Sequence, residues 1–277
     1  MKLLREELRW TFTWPCGWLQ GVLFNLVLAA AYLVVWPLAF DDHYDVVLLF
    51  TAYFATFIMA DVTTTNIFGH DIVRTLAALR RGRSFASLIL MKNLVQTIVV
   101  VMPMVLLTIG VTWYVDGAEE LFLAIPGILY PMLLWLGIGN LISVLYPVLP
   151  APINWRIQSI RAGRKQWLLH APMLISYAIP YVLYVLAATT DLPGNLNALI
   201  RVVAGTPHKW ESGLILLVAS IIIYWGLTWF SLRLVRDRGF VLPMQSDLVY
   251  QAPLDPEVKD AALELLPRRA DVADAAN

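Results

Sequence analysis

The side chains able to do chemistry are few and scattered, and they set the first limits on function. The chain has no Gly-x-x-x-x-Gly-Lys-Ser/Thr phosphate loop, so it has no site of that kind at which to bind and hydrolyse ATP. It also has no His-Glu-x-x-His pair, no Gly-x-Ser-x-Gly elbow and no Cys/His cluster. His43, His70, His170 and His208 fall in separate loops or at the ends of apolar runs. The single Cys16 rules out an intramolecular disulfide and offers no metal-ligand spacing. We therefore expect no catalytic residue, no metal ligand set and no cofactor held by the chain itself. Nothing in the sequence points to nucleic acid.

Within the apolar runs ionisable groups are nearly absent, and Asp61 is the exception. A carboxylate at depth in a membrane is costly and calls for a partner or a wet cavity. Thr64 and Asn66 follow it, Asn93 and Gln96 open the third run, and Asn140 ends the fourth. Asn25 in the first run is a weaker member of the same set. These residues fall in one layer and admit two readings. One is an interhelical hydrogen-bond layer; the other is an entrance lined for a polar group of a substrate. An ion-driven carrier calls for more than one buried acid or histidine and for matched broken helices, and neither is found. The energy for transport would then have to come from outside the chain.

The elements that position these residues are membrane spans. Hydrophobic residues make up 59% of the 277-residue chain and charged residues 14%, with mean hydropathy +0.68. Such a composition belongs to an integral membrane protein. Spans are expected at about 18–40, 46–66, 88–114, 121–147, 167–189 and 213–235, giving an all-α, six-span transmembrane domain over 18–240. The first run follows Lys2, Arg5 and Arg9 but is too long for a signal-peptide core, so it reads as an uncleaved span. Residues 1–17 read as an interfacial helix, with Leu3, Leu4, Leu8 and Phe12 at helical spacing and Trp10 and Trp14 suited to the headgroup level. Pro103, Pro126, Pro131, Pro172 and Pro180 punctuate the spans, which fits bent helices and ordinary helix packing equally well. Residues 195–205 read as an apolar helix dipping into the outer leaflet. The tail, 241–277, reads as mostly peripheral or disordered, with a short helix at Glu257 to Leu266.

Basic residues orient the spans. Fourteen flank one side, among them Arg74, Arg80, Arg81, Arg83, Arg156 and Arg233, against Arg201 and Lys209 on the other. The positive-inside rule puts both termini in the cytoplasm. Between the second and third spans lies a basic amphipathic segment. Ile72, Leu76 and Leu79 recur at i, i+4 and i+7, with Arg74, Arg80, Arg81 and Arg83 around them and Gly82 ending the turn. Too short and too charged to span, it is made to lie at the membrane surface. It would meet a partner there, or anionic headgroups.

Phe68-Gly69-x-Asp71 before this segment and Lys92-Asn93 after it resemble a pattern in permease subunits of ABC exporters of the six-span, type-2 kind. In that family a Phe-Gly-x-Asp motif, a short coupling helix and a Gly-Lys-Asn motif follow one another. Met91 stands where the family often has Gly, and Gly82-Arg83-Ser84 stands where it often has Pro. Gly139-Asn140-x-x-Ser143-x-x-x-Pro147 is similar to a second family motif at the inner end of the fourth span. The resemblance covers the six-span layout over about 235 residues. It implies a permease paired with a second copy or paralogue and with two separate cytoplasmic ATPases, which bind ATP and Mg. Asp71, Ile72, Arg74, Leu76, Leu79, Arg80 and Arg81 would then form the ATPase interface, the apolar face docking in a groove and the arginines meeting acidic rims. Two other readings are an ABC-like subunit that transmits force without moving a solute, and a lipid-acting membrane enzyme. The enzyme would need paired catalytic residues that the sequence lacks.

Overall fold

A computed structural model describes residues 2–13, 66–115, 117–147, 149, 209–242, 249–250 and 252–266, with Leu19, Val22, Leu23 and Ala198. The expected spans at 18–40, 46–66 and 167–189 lie wholly or mostly outside these residues, as do Asn25, Asp61 and Thr64. The described residues are all-α. In chain order the helices are α1 (Lys2–Thr11), α2 (Ile72–Arg80), α3 (Phe85–Gln96), α4 (Met102–Val115), α5 (Leu121–Leu145), α6 (Lys209–Arg238) and α7 (Pro256–Glu264).

Among the described residues, three helical stretches are long and apolar enough to cross a bilayer: Phe85–Tyr114, Ala118–Leu145 and Gly213–Arg238. The first joins α3 to α4 through a π-helical turn at Thr97–Val101, just before Pro103. Pro103 has no N–H to donate and its ring crowds the carbonyl four residues back, so the wider turn takes up the misfit. At 1.5 Å per residue, its 30 residues reach about 45 Å, more than one hydrocarbon core.

Among the described helices the α5–α6 contact is the most extensive, and small residues make it close. A Cβ on Gly137 would lie 3.0 Å from the Tyr224 backbone, and one on Gly213 would lie 3.2 Å from Pro126. Asn140 pairs with Thr228, and Arg238 donates to the Val144 carbonyl. These contacts run in the same order along both chains, so α5 and α6 are parallel. The buried stripe of α6 is small and polar (Gly213, Ser220, Thr228, Ser231), while Ile222, Trp225 and Trp229 are exposed. Ser220 and Ser231 turn their hydroxyls back to carbonyls one turn earlier, which satisfies them within the helix.

One core cluster (Val100, Val101, Ile128, Met132, Trp135, Leu136) lies among α4, α5 and the π turn. A second gathers Phe68, Ile72, Leu76, Phe85, Phe240 and Leu242 with Val249, Ala261, Ala262 and Leu265. At its centre the rings of Phe68, Phe85 and Phe240 lie 4.6–5.5 Å apart. Asp255 caps α7, its Oδ1 accepting from the Glu257 amide at 3.0 Å, and Pro256 fills the first turn. The Leu242 amide donates to the Leu265 carbonyl at 2.8 Å, tying the end of α7 to the chain just beyond α6.

Candidate functional site

The site forms where α1, α2 and the start of α3 meet, and local sequence sets each piece. α2 ends in a Schellman arrangement. The Arg83 amide donates to Ala78 and the Gly82 amide to Leu79, with Gly82 at φ 78°, a conformation that suits glycine. Ser84 then starts α3, its Oγ accepting from the Ser87 amide at 3.2 Å. This tight reversal brings Lys92, two turns into α3, back to the N-terminus of α2.

There Lys92 Nζ lies 2.6 Å from Asp71 Oδ2 and 3.8 Å from Glu7 Oε2. Arg74 completes the square, 2.9 Å from Glu7 Oε1 and 3.3 Å from Asp71 Oδ2. Glu7, Asp71 and Lys92 are all buried, whereas the Arg74 side chain is 34% exposed. The Trp10 ring covers the cluster, its centroid 4.9 Å from the Arg74 guanidinium carbon and 5.3 Å from Lys92 Nζ. Two acids and two bases cancel. Asp71 occupies the N-cap position of α2 but makes no cap bond with its side chain, which is engaged by Lys92 and Arg74. What these charges do is positional: they fix α1, α2 and α3 to one another. Beside them a cavity of about 10 Å³, lined by Trp10, Thr11, Lys92 and Val95, has room for at most one water.

The structure divides the seven residues in and beside α2 that the sequence suggests for a partner interface. Asp71 is locked in the cluster. Ile72 (1% exposed) and Leu76 (6%) face the chain's own core, and half-buried Leu79 packs against the same cluster. Arg74 pairs with Glu7 and Asp71, Arg80 with Glu264, and Arg83 with Glu6 at 3.4 Å. Arg81 is exposed and makes no ion pair among the described residues.

Of the polar layer, Asn66, Asn93, Gln96 and Asn140 are described, and all four are buried. Asn93 Nδ2 donates to the Tyr224 hydroxyl and Asn140 Nδ2 to the Thr228 hydroxyl, each at 2.9 Å. Tyr224 and Thr228 are one turn apart on α6, so that helix links α3 to α5. Asn66 neighbours the Ile67 amide, which donates to Ser143 Oγ at 3.2 Å. Asn93 Oδ1 and Asn140 Oδ1 keep unused acceptor capacity. No group of His, Cys, Asp or Glu that could hold a metal occurs among the described residues.

Glu7 escapes a reading of the sequence that takes residues 1–17 as alternating charge. On a helical projection it stands mid-face among Leu3, Leu4, Leu8 and Trp10, and a lone carboxylate there is the signal of a buried ion pair. Glu264, Tyr224 and Thr228 carry no comparable local mark. No protein-family model, curated protein or solved structure matches the chain.

Proposed function

We propose that the chain is the permease subunit of an ATP-driven ABC exporter, with α2 as the helix through which a separate cytoplasmic ATPase acts. The observation that carries this reading is the charge square. A short basic helix at a membrane surface is common, but here it is bound by buried ion pairs to α1 and to the first turns of a span. A push on α2 is therefore delivered to the span without slack.

Chain direction supports the six-span layout. Residues 66–71 lie at the same end as α1, against Glu7 and Lys92, as two crossings within residues 14–65 would require. The parallel direction of α5 and α6 fits a further crossing in the chain between them, as the expected fifth span would provide. With the bias of basic residues, both termini lie in the cytoplasm, and the setting is the inner membrane of a bacterium. Two such permeases and two ATPases would form the working unit and move substrate by alternating access.

Arg81 gives the cleanest test, because Leu76 is buried in the chain's own core and Leu76→Asp would disturb the fold as well as any docking. Wild-type chain extracted from its native membrane should carry a vanadate-sensitive ATPase. Arg81→Glu should insert normally and lose ATP-dependent solute movement in vesicles. Absence of any ATPase from the wild-type preparation would sink the reading. ATPase binding without solute movement would favour the force-transmitting subunit instead.

A further inference from the structure

The α2 face expected to meet a partner already has an occupant in the structure. Ile72 and Leu76 are buried in a cluster that includes Ala261, Ala262 and Leu265, and at the rim Glu264 pairs with Arg80. An apolar surface with an acidic edge is the chemistry an ATPase groove would bring, and α7 supplies both parts from within the chain. Its outward face, with Glu257 and Asp260, is exposed.

We propose that α7 is an intrachain strap that competes with the ATPase for the apolar face of α2, so that the tail sets how readily the permease engages its motor. The inference rests on the reading of α2 as a coupling helix. α7 is suited to the part. At nine residues it is too short to hold its helix in water once detached. Its rim contact is a solvent-exposed ion pair, which is readily exchanged for another. Within the helix only Ala261 and Ala262 are buried, and Val258 and Leu263 are partly buried against the same cluster. Release would uncover Ile72 and Leu76, two large apolar residues one turn apart, which is the pattern by which a groove takes a helix.

Two variants of the full-length chain, in a Cys16→Ser background, test the strap from opposite sides. In Arg80→Cys/Glu264→Cys, a reductant-cleavable bis-thiosulfonate linker replaces the ion pair and locks α7 down. Ala262→Glu puts a carboxylate into the buried face of α7 and releases it, leaving α2 unaltered. The readout is vanadate-sensitive ATPase activity retained by tagged chain extracted from its native membrane. Locking should lower retention at least about fivefold, and reductant should restore it. Release should raise retention, while amide exchange quickens in α2 and stays slow in α5 and α6. Unchanged retention on locking, or lower retention on release, overturns the strap and leaves the permease reading standing. No ATPase on the wild-type chain overturns both.

Discussion

Lys92 and Asp71 form the contact on which the site most depends, and its worth can be measured. At an effective dielectric of about 20, unit charges 2.6 Å apart attract by about 6 kcal/mol and charges 3.8 Å apart by about 4 kcal/mol. Desolvation of each buried ion offsets several kcal/mol of that, so the net stabilisation by the intact pair is small. Removing one member is different, because it strands the other. Lys92→Met leaves Asp71 with Arg74 alone, at 3.3 Å, on a side chain that is one-third exposed. Asp71→Asn leaves Lys92 with only the 3.8 Å contact to Glu7. Each single variant should cost about 3 kcal/mol, the low end for a broken buried pair because a second counter-charge remains.

The double variant Asp71→Asn/Lys92→Met restores neutrality, since Glu7 and Arg74 stay paired at 2.9 Å. It should therefore be more stable than the sum of the singles implies, with a coupling energy of about 2 kcal/mol. Reversible unfolding in mixed micelles of rising SDS fraction, followed by far-UV circular dichroism, gives the cycle. Coupling below about 0.5 kcal/mol, within the spread of independent sites, would refute the idea that these two charges hold one another.

The helix contacts give two further predictions. Gly137→Ala forces a Cβ to 3.0 Å from the Tyr224 backbone and should cost about 1–3 kcal/mol, whereas Gly226→Ala, with nothing within 4 Å, should be neutral or mildly stabilising in the same assay. An Asn140→Ala/Thr228→Val cycle should show about 0.6 kcal/mol of coupling, as for polar pairs in other membrane helices, and on the proposed permease function any transport by Asn140→Ala should stay within a few-fold of wild type. Zero coupling with a large transport defect would instead assign Asn140 to the substrate path.

How far the sequence shows the structure depends on how local each signal is. Phe85–Tyr114, Ala118–Leu145 and Gly213–Arg238 are sustained apolar runs, and length and hydropathy suffice to find them. α2 is equally plain, from the i, i+4, i+7 spacing of Ile72, Leu76 and Leu79 and from Gly82, whose positive φ ends the helix. The occupants of its faces are not plain. The Arg74 partner is 67 residues away and the Arg80 partner 184, and no periodicity encodes such pairings. The burial of α7 is hidden for another reason: alanines at 261 and 262 count weakly as apolar in a sequence, yet their small size is what lets α7 approach the cluster closely. Asn93 and Asn140 stand out as polar residues in apolar runs, but their partners on α6, a tyrosine and a threonine, are ordinary in such a helix.

The two ends of the described bundle follow opposite rules. Along α6 the buried stripe is glycine, serine and threonine, while Ile222 (66% exposed), Trp225 (55%) and Trp229 (59%) point away. Water would penalise that arrangement by about 1.5–3 kcal/mol for each large side chain left outside, whereas lipid tails accept it. Around α2 and α7 the order reverses: Phe68, Phe85, Phe240 and Leu242 lie inside, and Arg80, Arg81, Glu257 and Asp260 outside. That is the pattern of a soluble core, and it is stable only where the outer side chains meet water. Trp229 and Arg233, stacked 5.6 Å apart on α6, fall at the changeover, where an amphipathic ring and a cation are at home. The unit built on α2 therefore has the outside of a water-facing domain, while the long apolar helices have the outside of candidate spans.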